Sequence, residues 1–208
     1  MLLRFSALLS ALLIFSGCGD LSEIFGLDDV PRITVETEIP VTVRLPPTDL
    51  PPLPESVSQS LEIALPVDVV AHLKATGRDD DAELLEKNQS KIESVRLRSV
   101  SYEVRAPNAT PADVDPVDLY FGPPEMGQMS EGLRLGQTVA IPAETAIALR
   151  ELAYDPGALD AAAPQLSTLA FAVGVQTALT LEPMVPVAAD ALAIRLILKV
   201  EVTVNILK

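Results

Sequence analysis

Residues 192–206, LAIRLILKVEVTVNI, decide the fold of this chain. Every second residue from Leu192 to Ile206 is aliphatic, and the alternation keeps one parity throughout. Because successive side chains of a strand point to opposite faces, this pattern is typical of a β-strand with one buried face. At ~3.3 Å per residue the strand would be about 50 Å long. We therefore expect it either to lie in the centre of an elongated sheet or to bend across two sheets.

The same alternation recurs in three other long stretches, residues 33–45, 61–70 and 169–181. Two of them contain a proline, Pro40 in the first and Pro66 in the second. Proline has no N–H to donate to a neighbouring strand, so it is found at sheet edges or bulges. We expect both strands to occupy one of those positions.

Residues 92–104 also have the composition of a strand, but the alternation changes parity within them. The side chains expected to face inward are Val95 and Leu97, then Val100, Tyr102 and Val104. One extra residue in a strand produces such a change. The sequence therefore predicts a β-bulge here, or a strand that crosses between two sheets.

Shorter strands are predicted within residues 117–121, 133–141 and 145–149, and helices within residues 77–87 and 158–163. Many alternating strands with short connections and few helices indicate two antiparallel sheets packed face to face. The predicted fold class is mainly β, an antiparallel two-layer β-sandwich with one or two short helices. It forms a single domain over residues 33–208.

The first eighteen residues, MLLRFSALLSALLIFSGC, have the composition of a secretory signal. Their apolar run is about a dozen residues long, whereas a spanning helix needs roughly 20. The last four residues, Phe15 to Cys18, resemble the lipobox of bacterial lipoproteins. In that class the signal is cut before the cysteine, which is then acylated. The resemblance covers residues 1–18 and implies a cleaved signal over residues 1–17.

The same resemblance implies lipidation at Cys18 and a lipidated tether over residues 18–32. It implies that the protein is located in the bacterial cell envelope, at the outer membrane. Its partners would be the membrane, through the N-terminal acyl chains, and an envelope protein. Cys18 is the only Cys in the chain, so no disulfide can form and stability must come from packing.

The charge of the chain is strongly negative, with 29 acidic and 15 basic residues and a formal net charge of −14. Removal of residues 1–17, which contain one Arg and no acid, would make it −15. Such a chain is a poor partner for nucleic acid, whose phosphates it would repel.

Few residues of the chain are suited to catalysis. His72 is the only His, and the sequence contains no nucleophile-elbow motif and no glycine-rich phosphate loop. One His and one Cys are too few for a zinc or copper site. We therefore expect no catalytic residues, no cofactor and no metal, and a protein that is not an enzyme.

Two groups of carboxylates are the remaining candidates for a site. Asp79, Asp80 and Asp81 are predicted to form the charged start of a helix, which the helix dipole favours. A second group could offer oxygen ligands to calcium, although its loop lacks the Gly and the terminal Glu of an EF-hand. Its members are Asp113, Asp115 and Asp118.

Two functions follow from these patterns. The first is a cell-envelope lipoprotein, a lipid-anchored β-sandwich with a non-enzymatic binding or structural role. The alternative is a carrier of a hydrophobic ligand or lipid in a pocket between the sheets, with the irregular residues 122–132 as its lid.

Overall fold

The computed structural model describes residues 32–106, 108–166 and 169–206. They form two antiparallel sheets packed face to face, which confirms the predicted mainly β, two-layer sandwich. These residues contain three α-helices, where the sequence predicted one or two. The predicted signal, Cys18 and nearly all of the predicted tether lie outside the described residues, so acylation at Cys18 stays a prediction.

The described part of the chain contains nine strands and three α-helices. The strands are β1 (Arg32–Leu45), β2 (Val57–Asp68), β3 (Ile92–Val104), β4 (Asp118–Gly122), β5 (Leu133–Gln137), β6 (Ile147–Glu151), β7 (Ala153–Tyr154), β8 (Ala170–Leu181) and β9 (Leu192–Asn205). The helices are α1 (Val69–Ala75), α2 (Asp79–Lys87) and α3 (Ala158–Ala162). The four-stranded sheet has the order β1-β9-β3-β6, and the five-stranded sheet has the order β2-β8-β4-β5-β7.

Strand β9 lies in the centre of the four-stranded sheet, which settles the choice left open by its length. It pairs with β1 from Leu192 opposite Leu45 to Asn205 opposite Arg32, and with β3 on its other side. Its inward side chains are all buried: Leu192, Ile194, Leu196, Leu198, Val200, Val202 and Val204. A central strand covered on one face needs this unbroken alternation, because each inward position contributes to the core.

The predicted bulge in β3 is confirmed. The pairing of β3 with β9 shifts register between Leu97 and Ser99, so the residues on both sides of the shift point inward. The hydroxyl of Tyr154 holds this region, since it accepts a hydrogen bond from the Val100 N–H at 2.6 Å and donates to the Val100 carbonyl at 3.0 Å. Beyond it, the Tyr102 hydroxyl accepts from the N–H of Val139 at 3.1 Å.

Strand β1 is an edge strand, as Pro40 predicted. The carbonyl of Ala193 in β9 points towards β3, because it accepts a hydrogen bond from the N–H of Arg105. Ala193 lies opposite Arg44 of β1. Opposed residues of an antiparallel pair point their peptide groups either both towards each other or both away. Arg44 and every second residue before it, Pro40 included, therefore face the open side, and the missing N–H of Pro40 costs no ladder bond.

Strand β2 is also an edge strand, as Pro66 predicted. The N–H of Val69 donates to the carbonyl of Leu169 at 3.0 Å, so the odd-numbered residues of β2 face β8. The even-numbered residues, Pro66 included, face the open side. Both prolines thus face the side of the sheet that has no neighbouring strand, so the lack of an N–H costs no hydrogen bond.

Helix α1 was not predicted, and the expectation of a strand through residue 70 is wrong for its last two residues. The Asp68 carboxylate accepts a hydrogen bond from the Ala71 N–H at 3.0 Å and caps α1. Helix α2 confirms the helix predicted within residues 77–87. Among the described helices, none has the length and apolar composition needed to cross a membrane.

Candidate functional site

The residues that the sequence offered for chemistry are not brought together. His72 lies half-buried on α1, and its imidazole makes no hydrogen bond within the described residues. Asp79, Asp80 and Asp81 form the first turn of α2, as predicted, and Asp81 accepts from the guanidinium of Arg78 at 2.7 Å. The negative charges of these carboxylates interact favourably with the helix dipole at the amino terminus of α2.

The three carboxylates considered for calcium have separate partners. The Asp113 carboxylate accepts from the Ala143 N–H at 2.8 Å, and Asp118 pairs with Arg134 at 2.7 Å. Asp115 contributes its backbone carbonyl, which accepts from the Thr177 hydroxyl at 2.9 Å. In the described part of the chain, no three His, Cys, Asp or Glu side chains are grouped so that they could hold a metal ion.

The space between the sheets is filled by side chains. One crevice reaches it, lined by Leu45, Leu61, Leu179 and Leu192 among others, and it has no room for a water molecule. A carrier needs a cavity of several hundred Å³ between its sheets. The crevice between the sheets of the described residues offers no such volume, which contradicts the alternative of a hydrophobic-ligand carrier.

The segment predicted as a lid, residues 122–132, lies on the outside of the sandwich. Its Met126 and Met129 are buried against Ala172 on the outer face of the five-stranded sheet, with Ala64 and Tyr120 beside them. We call these five residues the outer cluster. It cannot cover an entrance to the interior, because it sits on the far side of the sheet from the core.

Glycines make room for the outer cluster. A Cβ atom on Gly174 would come within 2.5 Å of the Met129 sulfur, and one on Gly122 within 2.6 Å of the Met126 sulfur. The Glu131 carboxylate holds the loop in shape, since it accepts from the N–H groups of Gly127 at 2.8 Å and Gln128 at 3.2 Å. These two hydrogen bonds lower the pKa of Glu131.

The feature that has the character of a binding site lies where two loops meet at one end of the sandwich. Leu50 and Val187 exchange backbone hydrogen bonds of 2.8 and 3.0 Å. Further along, the N–H of Met184 donates to the carbonyl of Leu53 at 2.8 Å. We call residues 51–57 and 183–186 the apolar tip. Proline fixes φ, so the five prolines of this surface make it stiff: Pro51, Pro52, Pro54, Pro183 and Pro186.

Apolar side chains of the tip are exposed. Met184 is 72% exposed, Val57 44% and Val185 37%. Met184 also has a positive φ of 62°, a conformation that costs a non-glycine residue on the order of 1–3 kcal/mol. Because the backbone pairing on both sides fixes this conformation, the loop keeps the Met184 side chain directed outward. Exposed apolar side chains gathered in one part of a surface are typical of interaction sites.

Acidic residues surround the tip. Glu55 lies within it, and Asp49, Glu182 and Asp190 flank its two segments along the chain; all four are exposed. Asp49 accepts from the Ala189 N–H at 2.7 Å, and Asp190 lies 3.8 Å from the guanidinium of Arg44. The margin therefore carries a net negative charge around an apolar centre.

Sequence reasoning found only half of this surface. The five prolines of residues 46–56, PPTDLPPLPES, predict a stiff, exposed connection, with docking of a peptide at Pro51–Pro54 as the less favoured alternative. Leu50 is in fact buried. It assigned nothing to residues 182–187, EPMVPV. The signal was there, because Met184 and Val185 stand between two prolines where a turn would otherwise carry polar residues.

No protein-family model matches the chain, and no curated protein matches it in sequence. Its structure is similar to those of virus proteins. A chain of Desmodium yellow mottle tymovirus is 9% identical, with a TM-score of 0.37, over 86% of this chain and 91% of that one. A chain of the virus-like particle of Macrobrachium rosenbergii nodavirus is 11% identical, with a TM-score of 0.36, over 83% of this chain and 85% of that one. A chain of turnip yellow mosaic virus is 12% identical, with a TM-score of 0.31, over 81% of this chain and 80% of that one.

These findings correct the function predicted from the amino-terminal motif. The similar structures named above come from viruses. The predicted lipid-anchored cell-envelope lipoprotein, its membrane and envelope-protein partners and its outer-membrane location find no counterpart among these structures. At these TM-scores the likeness does not assign the role of a virus protein to this chain either.

Proposed function

We propose that this chain is a non-catalytic, protein-binding domain whose contact surface is the apolar tip. The observation that carries the proposal is Met184, held outward in a left-handed conformation at the meeting point of two paired, proline-rich loops. A stiff surface loses little conformational entropy on binding, which favours affinity. Its most exposed apolar side chain is a methionine, a residue that adapts to the shape of a partner.

The margin of the tip indicates the chemistry of the partner. Four carboxylates surround an apolar centre, and one nearby cation, Arg44, only partly offsets them. The complementary surface presents an apolar side chain flanked by Lys or Arg. Burial of the apolar centre would supply affinity, whereas the charged margin would govern the association rate and its dependence on salt.

The non-catalytic part of the proposal rests on the use of the titratable groups. Burial is the main cause that raises the pKa of Tyr120 and of Tyr154, whose hydroxyls bind Gln176 and the Val100 backbone. Hydrogen bonds from Arg105 and then Arg195 lower the pKa of Glu103. Displaced pKa values often mark catalytic groups, but here each group belongs to a contact within or between strands.

The proposal is tested by site-specific photo-crosslinking in the cells that produce the protein. The photoreactive residue benzoylphenylalanine replaces Met184 in one variant and Leu149, an exposed residue of β6, in the control. We expect one discrete protein adduct from position 184 that is absent from position 149. No adduct at 184, or the same adducts at both positions, would remove the proposal.

A second measurement uses the partner identified by crosslinking. Truncation of a residue at the centre of an interface commonly costs 2 kcal/mol or more, so Met184→Glu should weaken binding by about thirtyfold or more in calorimetric titration. Leu149→Glu, which adds the same charge elsewhere, should leave the affinity within about twofold. Equal losses in both variants would mean that net charge, and not the tip, controls binding.

A further inference from the structure

The open edge of β2 is a second surface of interest, independent of the apolar tip. Ser58, Ser60, Glu62 and Ala64 direct their N–H and C=O groups away from β8, by the parity that also places Pro66 on the open side. Within the described residues, these backbone groups have no hydrogen-bond partner on that side. They form an uninterrupted row of donors and acceptors of the kind that another strand can join.

The other long edge strand is protected against such pairing. In β1, Pro40 removes a donor from the middle of the open side, and the guanidinium of Arg78 already occupies the Glu36 carbonyl at 2.6 Å. In β2 the proline stands near the end, and Glu62 is the only charged residue between 57 and 67. Proteins blunt their free edges with prolines, charges and covering groups. The contrast shows that β2 lacks the protection that β1 has.

The core is also incompletely covered along β2. Ile63 and Leu65 face inward but are only half-buried, whereas their partners on β8, Val175 and Val173, are fully buried. Part of each of these two side chains therefore remains in contact with solvent. A strand added at this edge would extend the sheet beside them and cover part of that surface, as well as satisfy the backbone groups.

We propose that β2 pairs with β2 of a second copy of this chain, antiparallel and about a two-fold axis at Leu61. Residues that face the open side must oppose residues that do the same. This register satisfies the rule, because it places Ser60 opposite Glu62 and Ser58 opposite Ala64. The interface is isologous, as two-fold interfaces are.

The sequence of β2 is self-complementary in this register. The Ser60 hydroxyl can donate to the Glu62 carboxylate of the other copy, and no like charges stand opposite each other. Pro66 falls beyond the paired run, so it ends the ladder without interrupting it. The five-stranded sheets of the two copies then join into one continuous sheet.

The test is the mass of the full chain by sedimentation velocity across a range of concentrations. We expect a shift from 22.1 kDa towards twice that mass as the concentration rises. Since the chain carries a net charge of −14, added NaCl should strengthen the association by screening repulsion. A mass of 22.1 kDa at every concentration would overturn the proposal.

Two matched proline variants locate the interface. Ser60→Pro removes one donor from the open side of β2, at the same parity as the natural Pro66, and should hold the chain as a monomer. Thr42→Pro removes one donor from the open side of β1 and should leave the dimer unchanged. If both variants dimerise like the unmodified chain, or both lose the dimer equally, the assignment to β2 is wrong.

Amide hydrogen exchange on the unmodified chain decides the matter even if a proline variant fails to fold. The amides of Ser58, Ser60, Glu62 and Ala64 should become protected as the concentration rises. The amides of Glu38 and Thr42, on the open side of β1, should not. A dimer whose β2 amides stay unprotected would also overturn the proposal.

Discussion

The interior core and the outer cluster are two hydrophobic regions on opposite faces of the same sheet, and they are built by different means. The core is built largely from the inward-facing side chains of strands, such as Phe121, Val173 and Val175. In the outer cluster two loop methionines pack over the small residues Ala172 and Gly174 of β8, with Ala64 and Tyr120 beside them. Strand alternation therefore determines the first region, whereas the lack of side chains on the sheet determines the second.

The two regions should respond differently to substitution. A core position is enclosed on all sides, so removal of a side chain leaves a cavity that the rigid sheets cannot fill. The outer cluster is enclosed by a single loop, which can move away from the sheet when space is lost. The following predictions test this difference.

The largest effect is expected from Phe171→Ala. Phe171 is fully buried, and its ring lies 4.5 Å from that of Phe121, centroid to centroid. The loss of this side chain should lower the free energy of unfolding by about 3–5 kcal/mol in urea titration. The control Leu149→Ala, at an exposed site, should change it by less than about 0.5 kcal/mol. A loss of under ~1 kcal/mol at Phe171 would show that the core relaxes as readily as a surface loop.

A smaller effect is expected from Gly174→Ala. The new Cβ would lie 2.5 Å from the Met129 sulfur and 2.7 Å from the Met126 methyl carbon, so both side chains must shift. We expect a loss of about 1–3 kcal/mol, with altered NMR shifts of both methionine methyl groups and an intact sheet. Gly127→Ala is the control, because its Cβ would stand 3.9 Å from the nearest atom. Unaltered methyl shifts in Gly174→Ala would contradict this packing.

The smallest effect is expected from protonation of Glu131. Its pKa lies below the usual 4.5, first because of the hydrogen bond from Gly127 and then that from Gln128. A lowered pKa means that the stabilisation is present above the unfolded value and is lost as pH falls through the folded value. The methyl resonances of Met126 and Met129 should therefore move towards those of free methionine on acidification, before the core methyls change. Glu131→Gln should abolish this pH dependence, and its persistence would exclude Glu131 as the cause.

Where strand patterning acts alone, the sequence predicted the fold in detail. The bulge in β3 followed from the parity change between Leu97 and Val100, and the edge positions of β1 and β2 followed from their prolines. Helix α1 escaped prediction because Val69 and Val70 continue the aliphatic run of β2. The start of the helix depends on one hydrogen bond to the Asp68 side chain, and the alternation of apolar and polar residues gives no sign of it.

The functional features were less accessible from the sequence for a physical reason. The outer cluster requires Met126 and Met129 to meet Gly174, which lies more than forty residues away, and the apolar tip requires Leu53 to meet Met184. Neither contact produces a periodic pattern in the amino-acid sequence. The predicted function rested instead on residues 1–18, and a targeting motif says nothing about the surface of the domain that follows it.

The position of β9 between β1 and β3 has a consequence for the order of folding. Every strand of the five-stranded sheet precedes residue 182, whereas in the four-stranded sheet β1 is joined to β3 and β6 only through β9, which pairs residues 192–205 with residues 32–45. During synthesis β1 must therefore wait for β9, its sole strand neighbour in the described structure. Contacts so distant along the chain are slow to form. We expect folding of this sandwich to be limited by the arrival and docking of β9.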